Sequence, residues 1–407
     1  MANGMSRREF VERSARLAVL ASIGGSVLAA CGSSGGSGSA STPSIPLARV
    51  DQPVTLPDNG IAAVKSGLKP ETGTLRLLNY ADYINPETVS AFESAFGTKV
   101  EVSTYDTEDK LLANLRNESL TFDLVMGATT LGLPKYVAGG LIQPLNRDYL
   151  PNFGNVLASL QSPYYDVGSK YSVPYVVYTT GIGYRRDKLD DALFTGDDAW
   201  KLLWDAANKG FVGVIDDARE ALTLGMYYRG VTDTNTADPA ILDAAEADIK
   251  ALVSATDARF DILAYQKIPE GTAHINQAWS GDMLSGLQYL PEGTDPDVLG
   301  YWKPSRTTVA NDFSVIPAGS ERPVLAHALI DFLLDAANAQ QNFEVVGYQP
   351  ALTAPSSDDL VAAGLIPDNL LASIVTDRDV ADGFRLDVLA REDEKLWADA
   401  YSRITAG

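Results

Sequence analysis

Cysteine is nearly absent from this chain: Cys31 is the single one in 407 residues, and His274 and His327 are the only histidines. One thiol excludes an internal disulfide, so the fold must be held by buried apolar surface. So few soft ligands leave no zinc site to build, and no metal or other cofactor is expected. A Gly-x-x-x-x-Gly-Lys phosphate loop is missing too, which argues against nucleotide hydrolysis. His327, in Leu325-Ala326-His327-Ala328-Leu329, reads as a satisfied helix histidine rather than a base or ligand, and His274 is no more informative. Basic residues are scarce, and the net charge of −21 disfavours nucleic acid and anionic lipid surfaces. That charge tilts the chain toward a cationic ligand, although acidity also serves solubility. After Ala30 no apolar run is long enough to cross a membrane.

Ahead of Cys31 the chain carries Ser6-Arg7-Arg8-Glu9-Phe10 and then an apolar stretch from Leu17 to Ala30, a layout suited to an export signal. The arginine pair reads as a twin-arginine address, and Leu28-Ala29-Ala30-Cys31 resembles the lipobox of bacterial lipoproteins. The expectation is cleavage before Cys31, lipid on its thiol, and a true start at Met1 or Met5. Losing four arginines and two glutamates would then move the charge from −21 to −23. Gly32 to Ser41 is nearly all Gly and Ser, and Thr42-Pro43-Ser44-Ile45-Pro46 follows as a stiffer spacer. The body is thus expected to hang on a tether at the outer face of the bacterial cell membrane.

About 335 residues remain for that body, enough for two domains. Thr74 to Asn79 predicts a strand, Glu87 to Phe96 a helix, Lys99 to Thr104 a strand, Thr107 to Asn117 a helix and Phe122 to Met126 a strand. Such alternation means an α/β fold with a parallel sheet. Phe211 to Ile215, a helix to Arg229, Pro239 to Thr256, Ala273 to Trp279 and Asp282 to Gln288 repeat the pattern in a second lobe. Tyr171 to Tyr184 and Asn311 to Pro317, the latter leading into a helix from Pro323 to Leu334, look like strands crossing between lobes. Ligands of open sheets bind at the carboxyl ends of strands, so Asn79 to Tyr83, Gly127 to Thr130 and Asp216 to Glu220 should face one cleft.

The sharpest constellation there is Asp217 with Glu220, two carboxylates on the first turn of a helix. The same spacing is a capping box, in which Asp217 accepts backbone N–H bonds and Glu220 reaches back, and a capped carboxylate still has lone pairs for a cation. Tyr80, Tyr83, Trp279 and Tyr348 follow strands or turns. Singly each suits core or surface; together they would box an ammonium by cation–π attraction.

From about Thr74 to Ala406 the chain resembles the periplasmic spermidine/putrescine-binding proteins of ABC importers. Asn79-Tyr80-Ala81-Asp82-Tyr83, Tyr171-Ser172-Val173-Pro174-Tyr175, Asp216-Asp217-Ala218-Arg219-Glu220 and Gly347-Tyr348-Gln349-Pro350 carry the likeness. It implies a type II periplasmic-binding-protein fold, two α/β lobes on hinge strands. The expected division is signal 1–30, lipidated Cys31 and linker 31–73, lobe 1 at 74–177 with 312–360, and lobe 2 at 178–311 with 361–407. The resemblance further implies that Asp217, Glu220 and Asp312 hold amino groups while Tyr80, Tyr83, Trp279 and Tyr348 wall the aliphatic stem. Ala81 stands where a hydroxyl is usual, Thr130 where an aromatic is usual, Ala310 in place of a Trp and Arg385 in place of a Gln. Arg385 would repel an ammonium and welcome a carboxylate, or else form an ion pair with Asp387 or another surface acid. The resulting expectation is a monomeric, non-enzymatic binding protein that delivers a polyamine to a membrane permease. Its rivals are the same fold binding an amino acid or carboxylated amine through Arg385, and an exported carbohydrate-active enzyme using paired acids.

Overall fold

The computed structural model describes residues 46–406; the export signal, Cys31 and the Gly/Ser tether lie outside the described residues. Leu75 and Leu77 are buried on one face of β1 (Thr74–Asn79) and Leu78 on the other, as a strand inside a covered sheet requires. The Asn85 side chain accepts the Glu87 N–H at 2.9 Å to start α1 (Pro86–Phe96), Pro86 fits its first turn, and Gly97 ends it at φ 61°. β1 pairs in parallel with β2 (Lys99–Thr104) on one side and β3 (Leu124–Ala128) on the other. Between those strands runs α2 (Glu108–Arg116), capped by Thr107. β3 starts two residues later than its pattern suggests, because Asp123 turns its carboxylate to Arg76 and to the backbone N–H groups of Glu321 and Arg322. A short helix, α3 (Leu133–Ala138), follows it.

The first crossing is β4 (Val173–Arg185), two residues later at its start than the extended run, since the Tyr171 and Ser172 N–H groups are held by the buried Asp166 carboxylate. From Val173 to Thr179 it lies antiparallel to β9 (Val309–Val315); from Thr180 onward its partners are β7 (Ile275–Trp279) and β8 (Leu299–Trp302). β9 also ends earlier than the expected Pro317, because Pro317 lacks the N–H a ladder needs and its carbonyl accepts from Gln143. β5 (Val212–Ile215) pairs in parallel with β6 (Arg259–Asp261) and β7. The resulting mixed sheet has the order β2-β1-β3-β9-β4-β7-β5-β6.

Separate cores cover the two ends of this path. Leu75, Leu77 and Met126 meet Leu325 and Leu329 of α7's segment Pro323–Leu333, and Leu78, Val125 and Phe313 pack with Tyr136 and Val137. At the other end Val212 and Val214 are buried with Leu222 of α4 (Ala218–Tyr228), Ile249 of α5 (Pro239–Thr256) and Trp397 of the last helix, Arg391–Thr405. Between these, α6 (Ser280–Ser285) follows β7 and gives way to a tighter turn through Tyr289. His327 is satisfied as expected: its Nδ1 meets the Pro323 carbonyl at 2.6 Å and its Nε2 accepts the Asn146 N–H at 3.0 Å. Among the described residues no helix is long and apolar enough to cross a membrane.

Candidate functional site

The ends of β1 and β3 shape one wall. The Asn79 amide accepts the Tyr80 N–H at 2.9 Å and donates to the Tyr83 carbonyl at 3.1 Å, clamping the turn that presents both tyrosines. Tyr80 lies over Gly127, whose φ of 81° and missing side chain are both needed, because a Cβ there would come within 2.7 Å of the ring. Its ring is 4.4 Å from Tyr105 and stands edge-on to Tyr83 at 5.8 Å.

Asp312, on β9, is the acid of this wall. Tyr83 donates to its Oδ2 at 2.8 Å and Tyr178 to its Oδ1 at 3.0 Å. Tyr83 also packs edge-on against Tyr348 at 5.3 Å, and Tyr178 against Tyr348 at 5.7 Å and Trp279 at 6.0 Å. Those contacts carry the aromatic lining across to the second half of the molecule. Tyr348 itself is anchored by a 2.6 Å bond from its hydroxyl to Asp282, which also accepts the Trp279 N–H at 3.0 Å.

Glu220 faces this lining from the first turn of α4. The Trp279 indole N–H donates to its Oε1 at 3.1 Å, and the Thr180 hydroxyl sits 3.2 Å from both oxygens. Asp217 is the helix cap, accepting the N–H groups of Arg219 at 2.8 Å and Glu220 at 3.0 Å through one oxygen. Only half of the expected capping box forms: Glu220 does not reach back to the Asp217 backbone, because Thr180 and Trp279 claim its carboxylate.

The electrostatics follow from these surroundings. Burial pushes the Asp312 carboxyl up to about 7 against the opposing effect of its two tyrosine bonds. It pushes Glu220 up to about 7 as well, with the Trp279 bond pulling the other way and the Asp217 charge adding to the rise. Among the described residues neither carboxylate is paired with a base, and every donor either one meets is neutral. Such groups keep lone pairs for an incoming cation and have a reason to want one.

Burial pushes the Tyr164 hydroxyl up, and a bond with Thr130 and the Arg385 charge pull it back. Among the described residues Arg385 forms no ion pair with Asp387, although it feels that charge. Its guanidinium donates to the carbonyls of Val380 at 2.7 Å, Phe384 at 3.2 Å and Gly383 at 3.4 Å, while Asp387 pairs with Arg49 at 3.8 Å and accepts from Asn235 at 3.2 Å. Sequence reasoning missed Tyr178 and Thr180, hidden inside a strand that read only as a crossing, and Asp82, which accepts from Tyr289 at 2.7 Å and Tyr265 at 3.3 Å. Glu108 was missed as well: burial raises its carboxyl to about 8, and it lies at the start of α2, where the pattern signalled only a helix. Among the described residues no group of His, Cys, Asp and Glu is arranged to hold a metal.

The "Spermidine/putrescine-binding periplasmic protein" of Escherichia coli is 29% identical over 279 residues, covering 68% of this chain and 77% of that protein. A putrescine/agmatine-binding protein of Pseudomonas aeruginosa is 26% identical over 366 residues, covering 86% of this chain and 96% of its own length. The solved spermidine/putrescine ABC transporter substrate-binding protein of Streptococcus pneumoniae superposes with a TM-score of 0.65 at 23% identity, over 82% of this chain and 99% of that one. It shares the type II periplasmic-binding-protein fold. The profile of the bacterial extracellular solute-binding proteins matches residues 87–366, well over half the sequence. With that match laid over this fold, the chain belongs to the bacterial extracellular solute-binding protein family.

Proposed function

We propose that this protein captures an aliphatic polyamine between its two halves and presents it to the membrane permease of an ABC importer, by binding alone and without turnover. The observation that carries the reading is the pair of buried carboxylates, Asp312 and Glu220, held by neutral donors and walled by Tyr80, Tyr83, Tyr178, Trp279 and Tyr348. An ammonium beside either acid gains a charge-assisted bond of about 1.5–3 kcal/mol, and an aromatic face adds about 0.5–2 kcal/mol. Asp217 lends a second negative charge at Glu220, and Thr130 and Arg385 form the outer edge beside Tyr164. The spermidine- and putrescine-binding relatives support the ligand class.

In this reading residues 74–177 with 312–360 close against 178–311 with 361–407, and the permease recognises the closed shape of a monomer. Cys31 carries the lipid that keeps the body at the outer face of the cell membrane, with the Gly/Ser run as its tether. Titration calorimetry with putrescine, spermidine and the uncharged 1,4-butanediol tests the reading. Both amines should bind at roughly micromolar dissociation constants or tighter and the diol should not bind. Equal heats from diol and diamine, or none from either amine, would rule the amine site out.

A further inference from the structure

Asp312 and Glu220 do not exhaust the acids of this cleft. Glu108, the first residue of α2, places its carboxylate directly over Gly132, where a side chain of any size would overlap Glu108 Oε1 and the Tyr136 hydroxyl. Its Oε2 accepts from Thr129 at 3.0 Å. Its Oε1 is sealed from solvent and has no hydrogen-bond partner among the described residues, and neither has the Tyr136 hydroxyl, on a side chain with no exposed surface. Two buried polar atoms left orphaned at one glycine are costly, and native structures rarely tolerate them without a role.

The surroundings say what would satisfy them. Glu108 acts electrostatically on Tyr80 and Tyr105, and the carboxylates of Asp312 and Asp217 act on it in turn. Tyr80 therefore stands among acids from both halves of the molecule. The base nearest in effect, Lys135, is already paired with Glu394 at 3.0 Å. Among the described residues Asp312, Glu220 and Glu108 all lack an ion partner, so each of the three calls for a positive charge.

Building on the amine reading above, we infer that Glu108 is a further specificity-determining carboxylate, one that takes a third cationic nitrogen of the ligand and so favours a linear triamine over a diamine. Oε1 and the Tyr136 hydroxyl accept the N–H groups of that nitrogen, and the stem between it and the next nitrogen lies along Tyr80. A diamine spans Asp312 and Glu220 and leaves Glu108 unanswered.

Calorimetry on the full chain with spermidine and putrescine, for the unaltered protein, Glu108→Gln and Tyr136→Phe, tests the assignment. Glu108→Gln should weaken spermidine binding about tenfold or more and putrescine binding less than about threefold. Tyr136→Phe, which removes one hydroxyl and leaves the ring, should shift the same ratio in the same direction by less, and it decides the matter if Glu108→Gln does not fold. Equal losses for both amines, or a changed melting temperature with an unchanged ratio, would show Glu108 to be a brace for Thr129 and overturn the inference. Binding of neither amine by the unaltered protein would instead remove the amine reading itself, and this inference with it.

Discussion

At the residue scale, Asp312 shows why a binding site of this kind is expensive to keep. The residue is 4% exposed, its carboxylate accepts from two tyrosines, and among the described residues no base pairs with it. Exchanging it for a neutral isostere should therefore separate binding from folding. Asp312→Asn is expected to cost amine binding about 2–5 kcal/mol by calorimetry while leaving the melting temperature of the empty protein unchanged or higher, because an amide is cheaper to bury than a carboxylate. A matched fall in both quantities would make Asp312 a structural residue. Tyr83 was legible as an aromatic after the first strand, but Asp312 only through the family likeness, since nothing in local pattern tells a strand acid that it will meet a tyrosine 229 residues earlier. The hydrogen bonds of Arg385 were not legible either: its partners are backbone carbonyls, and backbone geometry leaves no mark on the residue string.

At the scale of elements, α4 carries two tasks on its first turn, and they can be pulled apart. Asp217→Ala removes the cap and should destabilise the protein by about 1 kcal/mol, whereas Asp217→Ser restores a cap without charge and should recover most of that loss. Thermal unfolding reads the cap; calorimetry with spermidine reads the charge, and both variants should weaken binding alike. Recovery of full affinity by Asp217→Ser would restrict Asp217 to capping. The helices and strands themselves were well marked, because Asn85-Pro86, Thr107 and Asp238-Pro239 are start signals whose physics is local. The Asp-x-x-Glu spacing was marked too, yet its second half misled. Thr180 and Trp279 arrive at Glu220 from β4 and β7, and which donors reach a carboxylate is decided by the sheet, not by its neighbours in sequence.

For the whole molecule, the buried acids make both stability and binding depend on pH. Asp312, Glu220 and Asp282 are raised to about 7 and Glu108 to about 8, with burial the largest cause in each. Carboxyls raised on folding stabilise the empty protein fully below their unfolded values and lose that contribution as pH climbs through the folded ones. The melting temperature of the empty protein should therefore fall from about pH 5 to about pH 8, while its increase on adding spermidine grows over the same span. Calorimetry near neutrality, repeated in buffers of different ionisation enthalpy, should show protons released on binding. A melting curve flat across that range would mean the acids are already ionised in the empty state. The two-lobed α/β plan was visible in the chain from the alternation of strands and helices and the two long extended runs, which became β4 and β9. The partner switch along β4, between Thr179 and Thr180, belongs to tertiary pairing and was not visible.

That switch has a further consequence. Tyr178, which grips Asp312, and Thr180, which grips Glu220, flank the very peptide where the strand changes sides. A hinge at that peptide would make the floor on which cargo rests also the lever that tilts the two jaws. Anyone redesigning this protein for a different guest by altering either residue should expect the resting gape to move along with the taste.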